Sequence, residues 1–352
     1  MKLFTVGPVE MYPETLQIEG TQPPYFRTEE FGAKMKECER MFLQTVRAPK
    51  GAFYFPLTCS GSGAMDAVVA NLFTEEDKVL IIDGGSFGHR FAEICERYRI
   101  PADCCTLVFR EAFSKERFEQ YDGGGYTALL VNTCDTSTGQ LYDLDYLSAF
   151  CSRNGMLMVV DAVSAYLADE IDMERQGIDV LFTASQKALA LSPGLALVVL
   201  SGRARERAAK NRVPYYFDFN AAIENQRRGQ TPFTCPVGTL LALHRRLQRI
   251  CEAGVAETVA LHAHRAAYFR RQLAGLPVEL PEIPLSNSCT PVIFPKENAQ
   301  QIFQNLKNRY GLVLTPSGGA WKGLQLRVGH LGNLNDEDFD LVIEKLRGEL
   351  QV

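Results

Sequence analysis

The chain has 352 residues, of which 46% are hydrophobic and 22% charged, a composition typical of a soluble globular protein with room for two domains. Its formal net charge of −5 argues against nucleic acid and against an anionic membrane surface as partners. No secretory segment and no membrane-spanning apolar run are recognisable, and the ten cysteines lack C-x-x-C spacing, so we predict a cytoplasmic protein with reduced thiols and no metal site.

Strand-like apolar runs alternate with helix-like stretches between residues 52 and 201. Strands that are apolar on both faces and separated by helices predict a mostly parallel sheet covered by helices on each side, and hence an α/β fold. The predicted strands are residues 52–57, 79–83, 126–132, 156–161, 179–185 and 195–201, and the predicted helices lie near 64–73, 87–98 and 143–153.

The last third of the chain predicts a smaller α+β domain. A helix-compatible stretch from Pro236 to about Leu273 is interpreted as one connecting helix. Beyond it, strand-like runs occur at 290–295, 312–316 and 323–329, and helix-like runs at 299–310 and 336–350, the last behind a cap at Asn335 or Asp336. We therefore divide the chain into an N-terminal segment (1–15), a large domain (16–245) and a small C-terminal domain (246–352).

Two features follow predicted strands of the large domain, where ligands bind in open parallel sheets. The Ser-Gly-Ser-Gly turn at 60–63 precedes a helix, so its N–H groups could bind a phosphate, or Ser60 could simply cap the helix. This turn is neither a G-x-G-x-x-G nor a P-loop motif. Asp161 ends an apolar strand, where a carboxylate needs a metal, a loop or a protonated ring nitrogen as its partner.

Lys187 and Arg327 are two further candidates. Lys187 follows the strand at 179–185, where partial burial would make its amine a nucleophile, although many lysines at such positions reach solvent. Arg327 lies in a strand-like run and suits carboxylate binding, or is a charge on an edge strand. A phosphate site, a buried acid, an amine and an arginine together are what pyridoxal phosphate (PLP) chemistry requires. We therefore predict that Lys187 holds PLP as a Schiff base and moves a proton during the reaction.

Ordered motifs along the chain carry a family resemblance: VGPV, SGSGAMDAVVANL, GGSFGHR, NTCDTSTGQL, VVDAVSA, DVLFTASQKAL, RRGQTPFTCPV and LQLRVGHLGN. With them the chain resembles class V aminotransferases, of PLP fold type I, in the group of alanine–glyoxylate, serine–pyruvate and 2-aminoethylphosphonate–pyruvate aminotransferases. The resemblance implies transfer of an amino group from alanine, serine or 2-aminoethylphosphonate to pyruvate, glyoxylate or phosphonoacetaldehyde. The kinetics would be ping-pong, through pyridoxamine phosphate.

The resemblance also implies roles for matching residues. The cofactor contacts would be Ser62 and Gly63 at the phosphate, Phe87 stacked on the ring, Thr136 beside the ring, Asp161 at the ring nitrogen, and Gln186 and Lys187 at the Schiff base. Arg327 would bind the substrate carboxylate, and Gly7 and Pro8 of the N-terminal segment would line its pocket. Thr234 would reach the phosphate bound by a partner subunit, which implies a homodimer with shared active sites.

Two other functions agree less well with the sequence. A lyase of the cysteine desulfurase kind needs a nucleophilic cysteine in a mobile loop ahead of the arginine, but the stretch TPSGGAWKGLQLRVG has none. Cys289 precedes a predicted strand, and Gln186 stands where those lyases usually have histidine. A non-catalytic descendant of the fold has no reason to keep Asp161, Lys187 and Arg327 together. We therefore favour the transaminase.

The sequence departs from the family pattern at three positions. Val6 replaces the first proline of the usual Pro-Gly-Pro, Phe87 stands where some members carry tryptophan, and Ala64 where some carry histidine. These changes leave the substrate pair open. Arg27 is interpreted either as a second anion contact or as a surface charge, and Arg90 as a structural residue.

Overall fold

The computed structural model describes residues 1–108, 110–211 and 214–351. The strands are β1 Lys2–Leu3, β2 Phe53–Leu57, β3 Val79–Asp83, β4 Ala102–Thr106, β5 Ala128–Asn132, β6 Cys134–Asp135, β7 Gln140–Leu141, β8 Leu157–Asp161, β9 Val180–Ala184, β10 Ala196–Leu200, β11 Cys289–Ile293, β12 Leu312–Val313, β13 Thr315–Pro316 and β14 Gln325–Gly329. The α-helices are α1 Pro13–Glu19, α2 Glu29–Thr45, α3 Gly61–Leu72, α4 Ser86–Arg97, α5 Lys115–Phe118, α6 Leu144–Arg153, α7 Gly202–Ala208, α8 Phe219–Arg227, α9 Val237–Ala253, α10 Val255–Gln272, α11 Ala299–Tyr310 and α12 Asp336–Leu350.

The large domain is built on a seven-stranded sheet in the order β2-β10-β9-β8-β5-β3-β4. β10 is antiparallel to both of its neighbours, and the other pairs are parallel. Every residue of β5, β8, β9 and β10 is buried, and an apolar cluster packs on each face of the sheet. The predicted α/β fold with a mostly parallel, covered sheet is therefore confirmed.

The single long helix predicted after Pro236 is wrong. Two helices, α9 and α10, occupy this stretch, and they are separated at Gly254, whose φ is 95° and ψ 140°. Glycine has no Cβ and adopts this conformation at little cost in free energy. The first helix therefore ends before Gly254, although the apolar pattern of the sequence continues beyond it. The predicted domain boundary at residues 245 and 246 falls inside α9. The division into domains stays a prediction.

The small domain contains the antiparallel sheet β11-β14-β13 packed with α11 and α12. Both helices have the predicted bounds, and Asn335 caps α12 in a capping box with Asp338. The run predicted as one strand at 312–316 divides into β12 and β13, because β12 pairs with β1 and β13 pairs with β14. The first strand of the chain thus pairs with a strand from the last third of the chain. Among the described residues, no helix has the combined length and hydropathy needed to cross a membrane.

Candidate active site

A cavity of about 170 Å³ lies where the strands of the large sheet end, and it collects most of the predicted site residues. Its lining consists of Gly7, Ser60, Gly61, Ser62, Met65, Phe87, Cys134, Thr136, Asp161, Val163, Ser164, Gln186 and Lys187. A larger surface depression of about 1060 Å³, between Thr74 and Lys210, contains none of the predicted site residues and is wide open. Because most of the predicted site residues line the smaller cavity, that cavity is the candidate active site.

The Ser-Gly-Ser-Gly turn forms the uncapped start of α3. Ser60 is the N-cap residue, but its side chain makes no capping hydrogen bond, so it does not satisfy the first N–H groups of the helix. A Cβ on Gly61 would lie 2.9 Å from Cγ2 of Val163, and one on Gly63 would lie 2.7 Å from Cβ of Cys59. Close packing thus favours glycine at both positions. Residues 60–62 of the turn line the cavity, and the N–H groups at the start of a helix suit an anion.

Phe87 is fixed by a residue that sequence reasoning missed. Asp135 is fully buried, and its Oδ2 accepts hydrogen bonds from the backbone N–H groups of Phe87 (3.1 Å) and Gly88 (3.0 Å) at the start of α4. Its Oδ1 accepts from the N–H and hydroxyl of Ser137 (2.9 and 2.6 Å). The signal in the sequence was an aspartate directly before the residues Thr-Ser-Thr at 136–138. Aspartate is a residue type that often caps turns and helices.

Asp161 is buried at the end of β8, as predicted. Its Oδ1 accepts from the N–H of Val163 (2.8 Å), and its Oδ2 accepts from Nδ2 of Asn132 (2.6 Å). Burial raises the pKa of Asp161 to about 6, against the opposing effect of these hydrogen bonds. Asn132 was not predicted. It ends β5 directly beside Asp161 in the sheet register, so a polar residue at the end of a buried strand was the available signal.

Lys187 lies in the same cavity with only 7% of its surface exposed. Its Nζ donates a 2.6 Å hydrogen bond to the carbonyl of Val6, and burial, aided by the nearby charge of Arg327, lowers its pKa to about 8. Gly7 covers the lysine with φ at +137°, and a Cβ there would lie 2.8 Å from Cδ and Cε of Lys187. The adjacent Gln186 has a buried Oε1 without a hydrogen-bond partner among the described residues.

Arg327 lies on the central strand of the small sheet rather than on an edge, and it contacts Thr136, a residue of the cavity wall. Its Nη1 donates to the carbonyl of Thr136 (2.9 Å), and its Nη2 donates to the carbonyl of Pro316 (3.2 Å). Its Nε is buried and has no partner among the described residues. The hydroxyl of Thr136 pairs with that of Ser164. The arginine is therefore held in place with donor capacity to spare.

The cavity lining does not include Gly63, Arg327, Pro8, Thr234 or Arg27, although the first two adjoin residues that line it. Pro8 is exposed beside it, and Thr234 is exposed elsewhere on the single chain. Arg27 donates to Oε1 of Gln230 (3.3 Å) and to the carbonyl of Thr231 (2.8 Å), close to Thr234 in the sequence. Within one chain, then, Thr234 and Arg27 belong to a separate surface.

Two thiols lie close to the cavity. Cys134 lines it, and Cys289, fully buried, is the first residue of β11 itself. A hydrogen bond with Cys134 and the charges of Arg327 and Lys187 lower the pKa of Cys289. Cys289 is fixed on a strand, whereas a desulfurase nucleophile needs a mobile loop.

The profile of the class-V aminotransferases matches residues 23–314. The chain belongs to this family. The "soluble hydrogenase 42 kDa subunit" of Anabaena cylindrica is 26% identical over 96% of this chain and 90% of its own length. The L-aspartate–glyoxylate aminotransferase of Paracoccus denitrificans is 28% identical over 95% and 87%, respectively. The crystal structure of an alanine–glyoxylate aminotransferase from Nostoc superposes with a TM-score of 0.93, with 25% identity over 99% of this chain and 95% of the other.

This class V aminotransferase is a PLP-dependent transaminase, so the predicted family, enzyme class and cofactor are confirmed. Its cavity fits that cofactor. The uncapped start of α3 suits a phosphate, and Asp161 is a buried acid suited to a protonated ring nitrogen. Lys187 carries an amine of lowered pKa, and the orphaned Oε1 of Gln186 needs a hydrogen-bond donor.

Proposed function

We propose that this aminotransferase moves an amino group from a small donor such as alanine, serine or 2-aminoethylphosphonate to a small acceptor such as pyruvate, glyoxylate or phosphonoacetaldehyde. One observation supports the proposal most strongly. Lys187 and Asp161 line one cavity, and Arg327 donates a hydrogen bond to the carbonyl of Thr136 in its wall. Relatives named aspartate–glyoxylate and alanine–glyoxylate aminotransferase support small substrates. The hydrogenase name of the Anabaena relative does not change the proposal, because amino transfer uses the groups found in this cavity.

Five residues would contact the cofactor without taking part in proton transfer. When bound, PLP supplies a ring that accepts electrons from the reacting carbon and keeps the amino group between two half-reactions. Ser62 and Gly63 would bind its phosphate at the start of α3, where the helix dipole favours an anion. Phe87 would stack on the ring, since stacking needs only an aromatic face. Thr136 would hydrogen-bond beside the ring, and Gln186 would hydrogen-bond the cofactor near the Schiff base with Lys187.

Asp161 and Lys187 would act on protons. Asp161 would keep a proton on the ring nitrogen, and this new positive partner would lower the pKa that burial now raises. Lys187 would bind the cofactor covalently, give it up to the amino donor, and then move a proton from the substrate Cα to the cofactor carbon C4′. A lysine whose pKa is about 8 can both accept and release that proton near neutral pH.

The substrate would bind between Arg327 and the N-terminal segment. The free Nε of Arg327 and its neighbouring N–H groups suit a bidentate contact with a carboxylate. Gly7 packs on Lys187 closely enough to exclude any side chain at that position, and Pro8 would border the mouth of the site. A site covered so closely favours small substrates.

We also propose a homodimer with shared active sites. Thr234 is exposed on the single chain, and it follows Phe233, which stacks on Tyr216 with ring centroids 4.8 Å apart. Tyr215 is 85% exposed and Tyr216 is 46% exposed, and large aromatic side chains at a surface are typical of an interface. On a partner subunit, Thr234 would reach the phosphate.

The proposal is tested with half-reactions. PLP-loaded enzyme is mixed with one amino donor at a time, without an acceptor, and conversion of the yellow cofactor to its amino form is followed by absorbance. L-alanine, L-serine and 2-aminoethylphosphonate are compared, and pyruvate or glyoxylate should then restore the yellow form. The variant Arg327→Gln should slow the alanine reaction about tenfold or more, because a charge-assisted contact is lost. Lack of conversion with every donor, or intersecting rather than parallel kinetic lines, would contradict the proposal.

A further inference from the structure

Arg90, interpreted from the sequence as structural, touches two residues of the proposed cofactor site. It lies on α4, and its Nη1 donates a 2.7 Å hydrogen bond to Oγ of Ser62. Its guanidinium also lies over the ring of Phe87, 4.8 Å from the centroid. Ser62 and Phe87 both line the cavity, whereas Arg90 stands behind them. One arginine thus connects the start of α3 with the aromatic wall.

The hydrogen bond to Ser62 has a direction. An arginine side chain donates and cannot accept, so Oγ of Ser62 must be the acceptor. The hydroxyl hydrogen of Ser62 is then directed away from Arg90 and remains available to another acceptor. At the uncapped start of α3, a phosphate oxygen is the acceptor that suits it.

The charge of Arg90 is also uncompensated. Among the residues that the structure describes, Arg90 forms no ion pair, although many other arginines do, Arg153 and Arg207 among them. A phosphate monoester carries between one and two negative charges near neutral pH. Ser62 and the N–H groups of α3 offer dipoles but no full charge, so Arg90 is the positive group nearest to them in this hydrogen-bond network.

We propose that Arg90 is a positioning residue for the phosphate of PLP. It sets the Ser62 hydroxyl as a donor to that phosphate, adds a positive charge behind it, and keeps Phe87 at the ring face. This inference rests on the proposed phosphate site at Ser62 and Gly63.

The test separates the phosphate from the rest of the cofactor. Full-length apoenzyme is titrated calorimetrically with pyridoxine 5′-phosphate and with pyridoxine, neither of which has an aldehyde to react with Lys187. The variant Arg90→Gln should bind the phosphorylated probe about tenfold or more weakly, with less than about a twofold change for pyridoxine. Arg90→Lys keeps the charge and should retain part of the preference for the phosphorylated probe. Arg97→Gln removes an exposed charge from the same helix and should change neither affinity.

Each other outcome has a distinct meaning. If wild-type apoenzyme binds both probes equally well, the phosphate site itself is wrong. If wild type prefers the phosphorylated probe but Arg90→Gln weakens both probes equally, Arg90 supports only the fold or Phe87, and the inference fails while the phosphate site stands. If Arg97→Gln weakened binding of the phosphorylated probe as much as Arg90→Gln does, the inference would also be overturned. Should Arg90→Gln not fold, full retention of the preference in the variant Ser62→Ala would count against it as well, because Arg90 would then have no hydroxyl to direct.

Discussion

Lys187 shows how burial prepares one residue for its chemistry. Its ammonium form loses hydration in the cavity and meets the charge of Arg327, and both effects lower its pKa to about 8. At pH 7 such an amine is neutral in about one molecule in ten, compared with about one in 2,500 for an exposed lysine. The neutral amine is the nucleophile, so the environment increases the fraction of Lys187 that can react.

The reactivity of Lys187 should therefore depend on pH. The rate at which apoenzyme captures PLP covalently should rise about tenfold per pH unit below pH 8 and level off above it, because the neutral fraction rises in that way. Borohydride reduction at timed intervals, followed by mass spectrometry, measures the rate. The control Lys187→Ala should fold, as judged by circular dichroism, and give no reduced product. Capture independent of pH between 6 and 9, or capture by the control, would refute the assignment.

The residues predicted and missed at the site differ in a physical way. Asp161 and Lys187 were predictable because each follows an apolar strand, so its neighbours in sequence mark it as buried. Asp135 and Arg90 were not, because their partners lie 48 and 28 residues away in the chain. Their roles depend on how α4 packs against other elements, and no local pattern records that packing. The proposed contact of Thr234 with another chain is harder still to predict, because it depends on packing between two chains.

At the scale of elements, the central strands were predicted best. β5 and β8 are buried throughout, so their apolar runs end where the strands end. The edge strand β4 was missed, because Ala102–Thr106 is half exposed and includes an aspartate and a threonine. The break between α9 and α10 was missed for a different reason: the apolar pattern continues across Gly254, and only its backbone conformation interrupts the helix.

That break leads to a matched pair of substitutions. Gly254→Ala should lower the free energy of unfolding by about 1–2 kcal/mol, because its φ of 95° strains any residue with a Cβ while no neighbouring atom would be touched. Gly348→Ala should raise it by up to about 1 kcal/mol, since Gly348 lies in α12 with open space around it and an ordinary φ. Thermal unfolding of both variants measures the two shifts. Equal shifts in the same direction would mean that the backbone at Gly254 is not the cause of the break.

At the scale of the whole molecule, Thr234 is exposed and lies outside the cavity lining of its own chain. Ser62, Asp161 and Lys187 line that cavity, but Thr234 lies on the surface beside exposed aromatic rings. An exposed threonine with no function within its own chain tolerates substitution with little effect on folding. In a homodimer, replacement of Thr234 by aspartate would instead impair the active site of the partner, because the added carboxylate would repel the cofactor phosphate.

This reasoning predicts complementation between two inactive variants. Lys187→Ala removes the cofactor lysine from its own chain, and Thr234→Asp damages the site of the partner. Each homodimer should have little activity, whereas co-expressed chains should recover about a quarter of wild-type activity, because half of the dimers then contain one intact site. Thr106→Asp, at an exposed threonine on the edge strand β4, should leave activity unchanged. If the mixture stays as inactive as its parents, or Thr234→Asp is fully active alone, each site is built from one chain.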